Sequence, residues 1–290
     1  MTDSKGRAFQ QAMVAERPLQ VVGCINAYVA LLAQRAGFQA IYLSGAGVAN
    51  ASYGLPDLGV TTLDNVVEDA GRITEAVNLP LLVDIDTGWG PALMIARSIR
   101  ALERIGVAAV HIEDQVQQKR CGHRPGKALV GTDEMCDRIK AAVDARIDEK
   151  FVVMARTDAF ACEGLAGAID RCCRYRDAGA DMLFPEALNE LDQYRAIREG
   201  TGIPILANIT EFGATPLFTT TQLASAAVDI ALYPLSPARA MYRAAEQVLD
   251  TLRKNGTQSG SLPAMQTREE LYEVLDYHKY EAIYDKLTME

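Results

Sequence analysis

The stretch LPLLVDIDTGWGPALMIARSIRALERIGVAAVHIED, residues 79–114, reads as strand, helix, strand. Residues 79–86 are a short apolar run that ends in two acids, and residues 108–114 are another. Between them, residues 91–105 carry apolar side chains at spacings of three and four, the period of a helix with one buried face. Gly106 follows at the position where a helix commonly ends on a left-handed residue.

The same unit recurs along the chain. Strand candidates stand at 21–27, 40–45, 79–86, 108–114, 151–158, 181–186, 203–210 and 228–234. Helix candidates stand near 28–36, 62–77, 91–105, 132–146, 164–178, 190–200, 220–227 and 236–254. Eight strands, each followed by a helix, predict a parallel sheet, and eight is the number that closes a (β/α)8 TIM-type barrel. A doubly wound open sheet is the alternative, but no strand reads as an antiparallel edge and no linker breaks the series. Residues 1–18 read as a helix ended by Pro18. The barrel with this helix accounts for residues 1–255. Residues 256–290 form a polar linker and a C-terminal helical extension belonging to the same functional unit. The extension, about 266–287, carries Leu271, Leu275, Tyr277, Tyr280, Ile283, Tyr284 and Leu287. A helix outside a closed barrel must bury such a face, against its own barrel or a neighbouring subunit, and an oligomer is expected.

Among 290 residues, 49% are apolar and 23% charged, as in a soluble globular chain with a sizeable core. The net charge of −9 argues against nucleic acid as a general partner. No apolar run approaches the length of a membrane span, so no membrane partner is expected. Six cysteines, two of them adjacent in a helix candidate, do not resemble a secreted disulfide framework. With a polar N-terminus that lacks a signal sequence, this points to the cytoplasm.

Barrel enzymes carry their chemistry at the C-terminal ends of the strands. Here those ends hold Tyr42 and Ser44, Asp84 and Asp86, His111 and Glu113, Arg156 and Asp158, Glu186, then Asn208 and Thr210. Residues two apart on a strand share a face, so Asp84 and Asp86 would repel unless a cation lies between them. An all-oxygen pair suits Mg²⁺, or Mn²⁺ in its place, better than Zn²⁺. The alternative is an N-cap acid plus a salt bridge, and Glu113 on the next strand favours the metal. His111 reads either as a satisfied core histidine or as support for the site. Ser44-Gly45-Ala46-Gly47 lacks the third glycine of a dinucleotide site and reads as a small-residue turn whose N–H groups suit a carboxylate. Lys119-Arg120-Cys121-Gly122-His123-Arg124-Pro125-Gly126-Lys127 interrupts the fourth unit with a loop of about seventeen residues, long for a strand-to-helix connection. Cations and glycines there suit a mobile lid over an anion, and a thiol among cations is a candidate for chemistry. Taken alone, the stretch is equally a buried small thiol beside a solvated basic run.

Tyr42-Leu43-Ser44-Gly45, Asp84-Ile85-Asp86-Thr87-Gly88, Ile112-Glu113-Asp114-Gln115 and Lys119-Arg120-Cys121-Gly122-His123 together resemble the isocitrate lyase and phosphoenolpyruvate mutase superfamily. The Lys-Arg-Cys-Gly-His segment resembles its lyase branch. Chain length, Arg239 in LSPARAM and Arg268 in MQTREELY resemble the members that cleave 2-methylisocitrate to pyruvate and succinate in propionate breakdown. Isocitrate cleavage, or action on a related acid such as oxaloacetate, is the alternative. The resemblance implies a closed barrel, a Mg²⁺ requirement and a homotetramer that exchanges its C-terminal helix. It implies Cys121 as the acid, with Tyr42, Glu113 and His123 beside it in catalysis. It implies substrate contacts at Ser44, Gly45, Ala46, Cys121, Gly122, Arg156, Glu186, Asn208, Thr210, Arg239 and Arg268. Asp84 and Asp86 would carry the metal, supported by Asp57 and Glu113. The family often has Ser-Gly-Gly-Gly where this chain has Ser44-Gly45-Ala46-Gly47. For an extra methyl on the substrate, Phe184, Leu232 and Pro234 at the ends of strands six and eight would form an apolar specificity pocket.

Overall fold

A computed structural model describes residues 4–288. The strands are β1 (Leu19–Gly23), β2 (Ala40–Leu43), β3 (Leu81–Asp84), β4 (Ala109–Glu113), β5 (Val152–Thr157), β6 (Met182–Pro185), β7 (Leu206–Asn208) and β8 (Ile230–Tyr233). They pair in parallel in the order β6-β5-β4-β3-β2-β1-β8-β7. The remaining seam is bridged where Leu183 pairs with Ile205 and the Leu183 N–H donates to the Pro204 carbonyl at 3.0 Å. The sheet is therefore a (β/α)8 barrel and not an open doubly wound sheet.

Two apolar layers hold it. One lies between the strands and the surrounding helices and includes Val83, Ile99, Ile112 and Val153. The other fills the barrel with Tyr42, Leu82, Met154, Phe184, Leu206 and Leu232, and continues into Phe9, Ala12 and Met13. Those three belong to the N-terminal helix Lys5–Ala15, capped by the Ser4 side chain. They pack with the first residues of the strands, so this helix plugs the end opposite the site. The expected helix over 1–18 is shorter, and residues 1–3 lie outside the described residues.

Each expected strand is present but shorter than its apolar run. The residues beyond the ladder turn away to build the site. Gly45–Gly47 and Val48–Ser52 wind into a helical stretch where only a turn was expected. The expected helix over 164–178 begins earlier, at Phe160, and Gly164 at φ 71° interrupts it. The C-terminal extension is not one helix. A 3-10 turn over Ser259–Ala264 precedes helices Arg268–Val274 and Tyr277–Thr288, and Asp276 at φ 51° makes the corner. The last helix buries none of its side chains. Among the described residues no helix is long and apolar enough to cross a membrane.

Candidate active site

Parallel register sets the strand tips side by side. Asp84 pairs with His111, Glu113 with Arg156, Arg156 with Phe184, and Asn208 with Leu232. Asp86 reaches this ring by a different route from the expected strand alternation. β3 ends at Asp84, and Asp86 adopts φ 48°, a left-handed conformation that costs a non-glycine residue free energy and gathers at functional sites. The turn is held from both sides. The Asp86 N–H donates to Asp84 Oδ1 at 2.9 Å, and the Asp86 carbonyl accepts from the Glu113 N–H at 2.9 Å.

A cation of the chain itself reaches this cluster, between Asp86 and Asp57. Lys119 Nζ lies 2.6 Å from Asp57 Oδ1 and 2.6 Å from Asp86 Oδ1. Burial opposes the lysine charge, but Asp86, Glu113, Asp84 and Asp57 hold it protonated well above the ordinary lysine range. Burial also opposes the Asp84 charge. His111, Lys119, Arg156 and the Asp86 N–H outweigh it and bring that carboxyl down to about 2. Burial, with the charges of Asp84 and Asp57, pushes Asp86 up to about 6 against the pull of Lys119. Glu113 is fully buried, and burial raises it well above the usual carboxylate range. Burial lowers His111 to about 4, so its ring is neutral and meets the Tyr42 hydroxyl through Nε2 at 3.0 Å.

Several polar atoms in this cluster have no hydrogen-bond partner: Asp86 Oδ1, both Glu113 carboxylate oxygens and His111 Nδ1. Two of them still lie against cations, Asp86 Oδ1 2.6 Å from Lys119 Nζ and Glu113 Oε2 3.3 Å from Arg156 Nε. Unmet lone pairs on hard carboxylate oxygens fit Mg²⁺ chemistry. Among the described residues, no three acid, imidazole or thiol groups yet converge enough to enclose an ion. The ammonium of Lys119 stands between two of them.

The lid is folded down. Its feet pair where Val116 N–H donates to the Ala128 carbonyl at 2.9 Å and Val130 N–H to the Asp114 carbonyl at 2.9 Å. The imidazole of His123 fastens the far side. Its Nδ1 accepts from the Ala214 N–H at 3.1 Å, which leaves Nε2 to carry the proton toward Glu186 Oε1 at 3.2 Å. Gly122 passes so close to the barrel that an added Cβ would lie 2.4 Å from Arg156 Nη2 and 2.6 Å from Glu186 Cγ.

Beneath the lid is a cavity of about 330 Å³. It is lined by Tyr42, Ser44, Ala46, Asp57, Asp84, Cys121, Gly122, His123, Arg156, Phe184, Glu186, Asn208, Thr210, Pro234 and Arg239, all expected from sequence. Gly45 sits at its wall and donates its N–H to Asp84 Oδ2 at 3.2 Å. Asp86 and Glu113 lie just behind the lining. Two expected residues are not brought in. Leu232 is fully buried in the barrel interior, because its face of β8 points into the packed core rather than the opening. Arg268 opens the helix Arg268–Val274, exposed and away from the cavity lining of its own chain, because that segment packs on the outer helix Ala27–Arg35, where the Tyr28 hydroxyl donates to Gln266 at 2.6 Å. Glu211 and Phe212 line the cavity without having been assigned a role. Lys119 also lines it; it was expected as one of the lid's cations facing an anion, and instead meets the acids. Phe212, at φ 60° beside Arg239, carried no sequence signal.

Comparison with known proteins places this geometry. The phosphoenolpyruvate phosphomutase family profile matches residues 9–253. A Shewanella oneidensis protein called 2-methylisocitrate lyase is 61% identical over 287 residues, spanning 99% of this chain and 98% of that one. The crystal structure of 2,3-dimethylmalate lyase, a PEP mutase/isocitrate lyase superfamily member, superposes with a TM-score of 0.91 at 33% identity, covering 99% of this chain and 96% of that one. Phosphonopyruvate hydrolase in complex with oxalate and Mg²⁺ superposes with a TM-score of 0.84 at 29% identity, covering 97% of this chain and 98% of that one. With barrel, strand-tip acids and near full-length identity in agreement, the chain belongs to the phosphoenolpyruvate phosphomutase family, within the PEP mutase/isocitrate lyase superfamily.

Proposed function

We propose that this chain is a carbon–carbon lyase that splits 2-methylisocitrate into pyruvate and succinate, with Mg²⁺ as cofactor and Mn²⁺ as its substitute. The observation that carries the reading is the seating of the Cys121 loop over one cavity that also holds Arg156, Arg239 and the strand-tip acids. The Shewanella relative's name supplies the substrate. The tricarboxylate binds through Arg156, Arg239, Asn208, Thr210, the Ser44 hydroxyl and the N–H of Ala46.

Asp84 and Asp86, supported by Asp57 and Glu113, would hold the metal. When bound there, Mg²⁺ draws electron density from the substrate hydroxyl and its neighbouring carboxylate. As the hydroxyl proton passes to the Glu113 carboxylate as base, the carbonyl of pyruvate forms and the adjacent C–C bond breaks. The electron pair stays on the succinate fragment, whose negative charge Arg156 faces. The Cys121 thiol gives its proton to that carbon as general acid, and the thiolate regains a proton when the lid lifts. Burial raises the Tyr42 hydroxyl well above its ordinary range. It therefore stays protonated and serves as a hydrogen-bond donor to a substrate oxygen rather than as the base. His123, bridging Glu186 and Ala214, holds the lid so that Cys121 faces the substrate. Phe184 and Pro234 border the methyl group. The proposed setting is a cytoplasmic homotetramer.

Purified protein mixed with 2-methylisocitrate and Mg²⁺ should yield equal amounts of pyruvate and succinate by NMR, and EDTA should stop it. Isocitrate should give glyoxylate more slowly, by about 10–200-fold in kcat/KM, the worth of one buried methyl. Equal or better turnover of isocitrate would leave plain isocitrate cleavage as the function.

A further inference from the structure

We infer that Asp158 is a positioning residue that ties the seating of the lid to the aim of Arg156. The inference rests on the proposed role of Arg156 in holding the substrate. Asp158 is fully buried just past the end of β5, and each carboxylate oxygen serves two elements. Oδ2 accepts from Arg156 Nε at 3.0 Å and from Gln115 Nε2 at 3.3 Å. Oδ1 accepts from Lys127 Nζ at 2.7 Å and, more weakly, from Arg156 Nη2 at 3.4 Å.

Both ends of the lid therefore report to one carboxylate. The Lys127 end does so directly. The Arg120 end does so through Gln115, whose side chain accepts from the Arg120 N–H and donates to the Arg120 carbonyl, both at 2.9 Å. The carboxylate itself is fixed from behind. Asp114 Oδ1 accepts from the Asp158 N–H at 3.0 Å, and Asp114 Oδ2 is held by Thr157 Oγ1 at 2.6 Å and the Tyr175 hydroxyl at 2.9 Å.

The consequence is a division of the two oxygens. With the lid down, Lys127 shares Oδ1 at 2.7 Å, so Arg156 is gripped firmly through Nε at 3.0 Å and only loosely through Nη2 at 3.4 Å. Nη2 also faces the cavity and Glu186 Oε2, 3.3 Å away. With the lid up, Oδ1 loses its ammonium partner, and the carboxylate can tighten its hold on both guanidinium nitrogens in the bidentate geometry that arginine favours. The guanidinium would then turn away from the substrate. Lys127 does not line the cavity, and its ammonium meets both Asp158 and the carbonyl of Gly122, so its effect on binding runs through one of these two and the double variant separates them.

The test uses the full chain with Asp158→Asn, Lys127→Met and the double variant. Amide hydrogen exchange across residues 116–130, without substrate, reads lid seating, because local opening sets the exchange rate. Each single variant should speed lid exchange by about tenfold or more while β3 to β5 stay protected. Succinate binding by calorimetry reads the Arg156 side. Each variant should weaken it, and the double variant should be no weaker than Asp158→Asn alone. Lid exchange at the parent rate in Asp158→Asn, or losses that multiply in the double variant, would overturn the proposal. Should Asp158→Asn not fold, Lys127→Met decides alone: unchanged succinate affinity sinks the coupling. Failure of the parent to bind succinate while the lid results hold would count against the function proposed for Arg156, not against the latch.

Discussion

Lys119 and Cys121 sit two residues apart on the lid and do opposite kinds of work. The ammonium of Lys119 neutralises acids that would otherwise face one another. Removing one member of a buried ion pair leaves uncompensated charge and commonly costs about 3–5 kcal/mol. Lys119→Met should therefore lower the melting temperature in EDTA, and added Mg²⁺ should raise it further in the variant than in the parent. A variant that melts with the parent in EDTA would remove Lys119 from this role. The thiol of Cys121 is a donor of a proton. Cys121→Ser should fold and bind substrate but lose about 10²–10⁴-fold in kcat, since a hydroxyl is a far weaker acid. Turnover near the parent rate would mean that another group protonates the carbon. Sequence pointed to both residues through the crowding of cations about a thiol. It could not say which cation meets which acid, because Lys119 and Asp57 are distant along the chain and meet only when the lid comes down.

At the scale of elements, the lid and the strand tips carry the site. Gly122 is the lid's closest approach to the barrel, and its missing Cβ is what lets it pass Arg156 and Glu186. Gly122→Ala should keep the lid from seating. A displacement of about 1 Å near the chemistry costs about 10²-fold, so kcat/KM should fall by that order with little change in melting temperature. Strand β8 supplies a second case. Periodicity placed Leu232 at the substrate, but its side chain fills the barrel interior with Tyr42, Met154 and Phe184. Leu232→Phe should overpack that layer and cost about 1–3 kcal/mol of stability. The preference between 2-methylisocitrate and isocitrate should stay near the parent's, read from steady-state kinetics on both. A large selective loss of the methylated substrate would return Leu232 to the pocket.

Across the whole molecule, the C-terminal extension leaves an apolar surface uncovered. Tyr280, Ile283, Tyr284 and Leu287 are exposed on the last helix, as are Leu249 and Leu252 on Ser236–Asn255. Such a face on a folded chain marks a contact surface, and a second copy is the partner expected from the sequence. Ending the chain after Gly260 should remove that contact, giving smaller species or aggregates in sedimentation and loss of activity. A truncated protein that stays active and sediments unchanged would make the extension an appendage.

Sequence alone determined the repeating strand and helix, the count of eight, and the end of the barrel that holds the polar residues. These are local properties: a 3.6-residue period, a two-residue period and the places where apolar runs stop. Most of the cavity lining followed from them, since strand tips in a parallel barrel must converge. Tertiary structure decided the rest. It placed Asp86 through a left-handed turn rather than a strand face, put Lys119 among the carboxylates, and made Asp158 the meeting point of Arg156 and Lys127. It also sealed Leu232 inside the core and left Arg268 outside the cavity lining. The physical reason is common to all five. Each depends on which groups come within a few ångströms after barrel closure and lid folding. A hydrogen bond or ion pair between residues 31 or 42 positions apart, as in Lys127 to Asp158 or Tyr42 to Asp84, leaves no periodic trace in the chain that forms it.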